Sequence, residues 1–214
     1  MTARSQRISR ERSSGARQIA KRAYYAMRNL PDRLLHRSRH EAVRTRLSRA
    51  HAPRKILVVC YGNVCRSPYL QAVLQRALPK AEVSSAGFVG ADRAVPEASL
   101  TISAKRGLDL SRFRSRPLVP AVVTEADLII VMDARQAEEI AARFPVNRTR
   151  IVIAGDLDPK FEQTRAIRDP WNQSSDVFEE SFDRLDRCAA VLVSIVERRS
   201  TEARGQSFPE SRDL

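Results

Sequence analysis

The feature that most constrains the fold is a series of short, uninterrupted apolar runs separated by helix-like segments. Lys55-Ile-Leu-Val-Val-Cys60 is apolar without alternation, the pattern of a strand covered on both faces in a parallel sheet. Three further strand-like runs follow, Ala81 to Ser85, Asp127 to Met132 and Arg150 to Ala154. Between them lie helical patterns: Pro68 to Leu78 with proline in its first turn, Glu97 to Arg106 stopped by Gly107, and Ala134 to Phe144 ended by Pro145. A long amphipathic helix, Ser174 to Arg199, carries Phe178, Phe182, Leu185, Ala189, Leu192 and Val196 on one stripe. Strands alternating with helices predict an α/β fold: a doubly wound, four-stranded parallel sheet with helices on both faces. Ligands of such sheets sit beyond the carboxyl ends of the strands.

The charge is partitioned. Residues 1–53 carry 14 Lys and Arg against Glu11, Asp32 and Glu41, so +11 of the chain's formal +13 belongs to this arm. Ala16, Ile19, Ala20, Ala23, Met27 and Leu30 recur at helical spacing until Pro31, and Leu34, Leu35, Val43 and Leu47 make a weaker second segment. Both are thinly apolar and Arg-rich, which predicts marginal helix rather than a packed subdomain. The expected organisation is a basic extension over 1–53, partly helical or disordered, a folded domain over 54–199, and a disordered polar tail over 200–214. No apolar stretch approaches the roughly 18 residues of a membrane span. Three cysteines cannot form a disulfide framework, and the odd count suits a reducing compartment, so a cytoplasmic protein is expected.

The loop after the first strand concentrates the chemistry. Cys60-Tyr61-Gly62-Asn63-Val64-Cys65-Arg66-Ser67-Pro68 joins that strand to a helix start. Arginine is abundant here, so the bare spacing C-x5-R carries little weight; its setting carries the weight. A tight loop of this kind turns backbone N–H groups toward one point and aims a helix N-terminus there, making an anion site. Arg66 adds a planar fork suited to two phosphate oxygens. The same positive field favours a thiolate at Cys60. The loop predicts a phosphate site that contains its own nucleophile.

This nonapeptide resembles the signature loop of the low-molecular-weight protein-tyrosine-phosphatases of bacterial type. The resemblance continues through Ser84-Ser-Ala-Gly87, Gly107 to Pro117, Asp127 to Asp133 and Asp169-Pro-Trp171, covering about Lys55 to Val196 and leaving the arm outside. It implies a hydrolase in which Cys60 attacks phosphorus, residues 61–67 and above all Arg66 bind the phosphoryl oxygens, and Asp169 of a D-P pair protonates the leaving phenolate and then activates water. No metal or cofactor is expected, since Arg66 and the loop amides supply the positive charge. Ser67 would donate to the Cys60 sulfur, and Asn63 would pin the loop through Ser85 and a histidine whose place is taken here by Phe113. Cys65 would be a reversible disulfide partner for Cys60. Tyr61 and Trp171, with Phe88 as a weaker third, would wall a cleft for phosphotyrosine on a protein, a bacterial tyrosine kinase being the substrate by analogy.

Plainer readings stand beside these. Asp-Pro is a common turn pair, with Asp156, Asp158 and Asp176 as rival acids; Ser67 could cap a helix, Asn63 could serve a turn, Cys65 and Trp171 could be packing residues, and Cys188 reads as core. An arsenate reductase of the same fold needs two relay cysteines, and none lies between Met132 and Asp169. The related arginine phosphatases carry Thr where this chain has Val64. A non-enzymatic reading gives the arm the function: binding nucleic acid or an anionic membrane through residues 1–53, with Tyr24 and Tyr25 interleaved. Its Arg-rich, acid-poor composition also resembles an organellar transit peptide, and a solvated extension is the bland alternative.

Overall fold

The computed structural model describes residues 27, 29–162 and 164–205. Four strands form one sheet: β1 (Lys55–Cys60), β2 (Glu82–Gly87), β3 (Leu128–Val131) and β4 (Ile151–Ile153). All pairings are parallel, in the order β2-β1-β3-β4. The apolar run of β1 explains its central place. Ile56, Val58 and Cys60 enter one core cluster, and Leu57 and Val59 enter the other, so both faces of the strand are dry.

Three helices cover the first face: α1 (Leu30–Arg49), α2 (Arg66–Ala77) and α6 (Ser175–Gly205), with α3 (Glu97–Lys105) against α6. The second face is covered by α4 (Pro120–Glu125) and α5 (Ala134–Arg143), which contribute Val123 and Ile140. The six stripe residues predicted for the last helix are all buried, and Phe182 stacks on Tyr69 of α2 with ring centroids 3.8 Å apart. Cys188 is buried in the same cluster. β1 has β2 on one side and β3 on the other, so the strand order reverses at β1, and its carboxyl end is the switch point at which ligands of such sheets bind.

Several boundaries differ from expectation. α2 begins at Arg66 rather than Pro68, because the loop tightens straight into the first turn. The short helix α4 is absent from the pattern reading; six residues with two prolines nearby are too few to show a period. α6 continues to Gly205, so residues 200–205, expected in a disordered tail, are helical, and the rest of that expected tail, residues 206–214, lies outside the described residues. The Ala16 to Leu30 helix also falls almost wholly outside them.

The arm calls for the largest revision. Its second segment is a 20-residue helix, α1, with Pro31 in the first turn rather than as a break. It is packed on the domain, not appended to it. Val43 is buried and Leu47 half-buried against the first cluster, but most of the docking is polar. Arg46 Nη2 donates to the Ile151 carbonyl at 3.1 Å, and His40 Nδ1 lies 3.0 Å from the Asp156 carbonyl, to which it donates. Hydrophobic periodicity does not register such contacts.

Behind α1, Asp158 is fully buried, accepting from Arg184 Nε at 3.0 Å and from Arg187 Nε and Nη2 at 2.9 and 2.8 Å. This makes Asp158 a structural anchor between the 156–165 segment and α6, not an acid available to substrate. Burial pushes its carboxyl up, but the Arg187 hydrogen bond, the Lys160 N–H and the charges of Arg187 and Arg184 outweigh that and hold it below the usual carboxylate range. Its contribution to stability is therefore present above the unfolded carboxylate pKa of about 3.9 and is lost as pH falls through the lower folded value. Asp158→Ala leaves Arg184 buried without its partner and should cost about 3–5 kcal/mol in urea unfolding at pH 7. The difference from wild type should shrink progressively as the pH is lowered below about 4.

Candidate active site

The site is built at the carboxyl end of β1. The strand ends at Cys60, whose buried sulfur accepts a hydrogen bond from Ser67 Oγ at 3.0 Å. Between them the chain curls through residues 61–65 into α2. Among the described residues, the N–H groups of Gly62, Asn63, Val64, Cys65 and Arg66 donate to no protein acceptor. Five consecutive donors, one end of a 12-residue helix and the Arg66 guanidinium thus share one place, a strong field for an anion with several oxygens.

Asn63 holds the curl. It is fully buried and sits at φ +50°, in the left-handed region that asparagine tolerates better than most residues. Its Nδ2 donates to Ser67 Oγ and to Ser85 Oγ, both at 2.9 Å, and its Oδ1 accepts from the Arg116 N–H at 2.8 Å. Ser85 Oγ in turn donates to Gln71 Oε1 at 2.6 Å. Phe113 supplies no side-chain bond to this network; Gln71, one helical turn beyond Ser67, ends it instead. That i, i+4 spacing is the signal from which Gln71 could have been found. Arg93 was not foreseeable by pattern: from an irregular loop, its Nη2 donates to the carbonyls of Gly62 at 2.5 Å and Val89 at 2.7 Å. Gly87, at the end of β2, is where the curl touches the neighbouring strand. A Cβ there would lie 2.8 Å from Asn63 N and 2.9 Å from the Tyr61 carbonyl oxygen.

Opposite the loop, Asp169 stands ahead of α6. Arg66, itself buried, bridges loop and acid: Nη2 donates to Asp169 Oδ2 at 2.5 Å, and Nη1 to the Ile167 carbonyl at 3.0 Å. Arg66 Nε is buried with no partner. Asp169 is half exposed, and its Oδ1 accepts the Trp171 N–H at 3.2 Å, the contact that the turn reading of the Asp-Pro pair expects. Of its rivals, Asp156 is paired with Arg165 and Asp158 with two arginines, while Asp176 lies in the first turn of α6.

Two aromatic side chains flank this arrangement with unusual exposure, Tyr61 at 54% and Trp171 at 46%. Phe88 does not join them; it packs against the second core cluster with the Arg143 guanidinium 5.7 Å from its ring centre. Val64 is buried in the first cluster. Cys65 is buried and free, and burial, with the charges of Cys60 and Asp169 behind it, pushes its thiol up to about 12. A neutral thiol at that position adds no negative charge beside the Cys60 sulfur.

Known proteins resemble this chain in sequence and in fold. Residues 55–202 match the family described as low molecular weight phosphotyrosine protein phosphatase. The probable low molecular weight protein-tyrosine-phosphatase EpsP of Ralstonia nicotianae is 38% identical over 134 residues, 62% of this chain and 88% of EpsP. Among solved structures, the tyrosine phosphatase Wzb from Escherichia coli K30 in complex with sulphate is similar with a TM-score of 0.61 and 29% identity, over 66% of this chain and 97% of that one. The YwlE arginine phosphatase from Geobacillus stearothermophilus is similar with a TM-score of 0.63 and 25% identity, over 74% and 100%.

The contact at Gly87 yields a test. Gly87→Ala forces a methyl against loop backbone that has no room to move, so it should destabilise the domain by about 1–3 kcal/mol and weaken inhibition by inorganic phosphate by at least tenfold. Thermal unfolding and inhibition constants measured on one preparation check both effects.

Proposed function

The chain belongs to the low molecular weight phosphotyrosine protein phosphatase family and is a protein-tyrosine-phosphatase, and from this premise we propose how its own residues carry out the hydrolysis. Cys60 is the nucleophile. Its sulfur attacks phosphorus as the P–O bond to the tyrosyl oxygen breaks, and Asp169 gives its proton to that oxygen. The phosphocysteine is then attacked by water, which loses a proton to the Asp169 carboxylate while the P–S bond breaks and the thiolate is regenerated. Throughout, the N–H groups of residues 62–66 and the Arg66 guanidinium hold the equatorial oxygens. The observation that supports this best is the Ser67 hydroxyl, aimed at the Cys60 sulfur from 3.0 Å, where it offsets charge on sulfur as the sulfur leaves phosphorus.

In this structure the Arg66 fork is turned to Asp169 and the Ile167 carbonyl. A phosphoryl dianion on that fork takes the place of the carboxylate and frees Asp169 to face the leaving group. Tyr61 and Trp171 then hold the aryl ring, whose length reaches the buried sulfur from the surface. The fold alone is shared with an arginine phosphatase; the branched apolar Val64 and the two exposed aromatic walls support phosphotyrosine. Cys65, the N-cap residue directly before α2, is the redox partner that closes on an oxidised Cys60.

The finer setting is also proposed. The protein works in the cytoplasm on phosphotyrosine of a bacterial tyrosine kinase, a reading supported by three buried free thiols and by relatives named as protein-tyrosine-phosphatases. Among the described residues, no helix is long and apolar enough to cross a membrane. The arm adds affinity for polyanions, nucleic acid or an anionic membrane, through its basic residues.

Without added metal, Cys60→Ser should abolish hydrolysis of p-nitrophenyl phosphate and of phosphotyrosine. Asp169→Ala should lower turnover by about 10²–10⁴-fold with inhibition by phosphate retained; unchanged activity in either variant refutes the role assigned to it. For the arm, truncation belongs before Leu30, because α1 is part of the folded body. Removal of residues 1–29 should abolish salt-dependent retention on DNA and on phosphatidylserine vesicles alike while leaving hydrolysis of p-nitrophenyl phosphate unchanged, and equal retention of both forms removes the arm's role.

A further inference from the structure

The acid Asp169 ends a strap, residues 164–169, that contains no regular secondary structure. The strap is held from three sides. From α6, Arg184 donates to the Thr164 and Ala166 carbonyls, both at 2.8 Å, and Ser181 Oγ to the Arg168 carbonyl at 3.0 Å. From the sheet side, the Ile167 N–H donates to the Met132 carbonyl at 2.8 Å. The third side is α1, which lies outside the matched residues 55–202.

On α1, one carboxylate oxygen of Asp32 accepts both the Thr164 hydroxyl at 3.0 Å and the Arg165 N–H at 3.1 Å, while the other oxygen is held by Arg39 at 2.6 Å. Thr164 Oγ passes the restraint on by accepting the Ala166 N–H at 3.3 Å. Beneath, the strap lies flat on the turn Ala154–Asp156: a Cβ on Gly155 would come within 1.9 Å of the Arg165 carbonyl oxygen. His40 binds that same turn at the Asp156 carbonyl, and the His36 ring meets Phe161 edge-on, with centroids 5.3 Å apart, at the approach to the strap. From Arg165 to Asp169 is four residues, about 14 Å at full extension. Ile167, midway, presents the carbonyl that holds Arg66.

We propose that α1 is a positioning element for the proton donor: Asp32 fixes the start of the strap and so sets where Asp169 stands relative to the leaving group. Asp32 touches neither substrate nor the reacting atoms. It acts through Thr164 and Arg165 on a donor whose reach must be right to a fraction of an ångström for proton transfer. The inference rests on Asp169 being the acid, and its test separates the two.

A misplaced acid hurts a poor leaving group more than a good one, because a nitrophenolate departs with little need of a proton. Asp32→Ala should therefore lower kcat/KM for phenyl phosphate by about three- to tenfold, a part of the roughly 10²–10⁴-fold that a general acid supplies, and for p-nitrophenyl phosphate by less than twofold. Inhibition by inorganic phosphate should be unchanged. Asp32→Asn keeps an acceptor for Thr164 and Arg165 and should recover most of the loss. Asp169→Asn, run beside them, should show the same selectivity in larger measure. If Asp169→Asn is selective and Asp32→Ala is not, or if Asp32→Ala lowers both substrates equally, the positioning role is refuted while the acid stands. If Asp169→Asn shows no selectivity, the acid assignment falls and the role of α1 falls with it.

Discussion

The active loop depends on one buried amide. Asn63 occupies a left-handed backbone conformation and spends its polar atoms on three neighbours: Ser67 ahead on α2, Ser85 on β2 and the Arg116 N–H on the crossing segment. Because those bonds bind the curl from outside, the backbone N–H groups on its inner side are spared from pairing within the protein. An anion site made of main-chain donors needs this division of labour, since a free loop of the same sequence would satisfy its own amides by turning into water or helix. Gly87 completes the constraint by letting the curl come into direct backbone contact with β2.

Much of this was readable from residue order because it rests on local pattern. The unbroken apolar run of β1 read as a strand covered twice, and a strand followed by Gly62, Asn63 and a helix start marked the loop that carries Cys60 and Arg66. Asp169 was singled out by the resemblance, as the acid of a D-P pair just ahead of the last helix, and its carboxylate pairs with Arg66. What the pattern could not show was made by polar contacts between distant segments. Gln71 takes the end of the Asn63 network in a chain with Phe113 at the usual histidine position, and Arg93 reaches the Gly62 carbonyl from a loop without periodicity. α1 failed the hydrophobic criterion because it docks through Asp32, His40 and Arg46 rather than through an apolar stripe.

Charge is deployed in two ways in this molecule. The buried arginines Arg66 and Arg184 and the partly buried Arg165 and Arg187 are paired with Asp169, Asp158, Asp156 and Glu162, and they tie the irregular chain between β4 and α6 together. Those pairs give position more than net stability, since the cost of desolvating both partners offsets much of their attraction. The surplus positive charge lies instead toward the amino-terminal end: residues 1–53 carry +11, and those before α1 hold eight Lys and Arg against Glu11 alone.

The direction of α1 gives that surplus a location. At 1.5 Å per residue its 20 residues span about 30 Å. It runs from Asp32, beside the acid strap, past Asp156 after β4 and Ile151 at the start of β4, to Ala50, whose carbonyl meets Arg199. The helix is thus antiparallel to the strands, and the chain preceding Leu30 joins the body at the rim that carries Cys60, not at the opposite pole. The polyanion affinity proposed above for the residues ahead of Leu30 would therefore act on the catalytic side of the sheet and raise the effective concentration of substrate there.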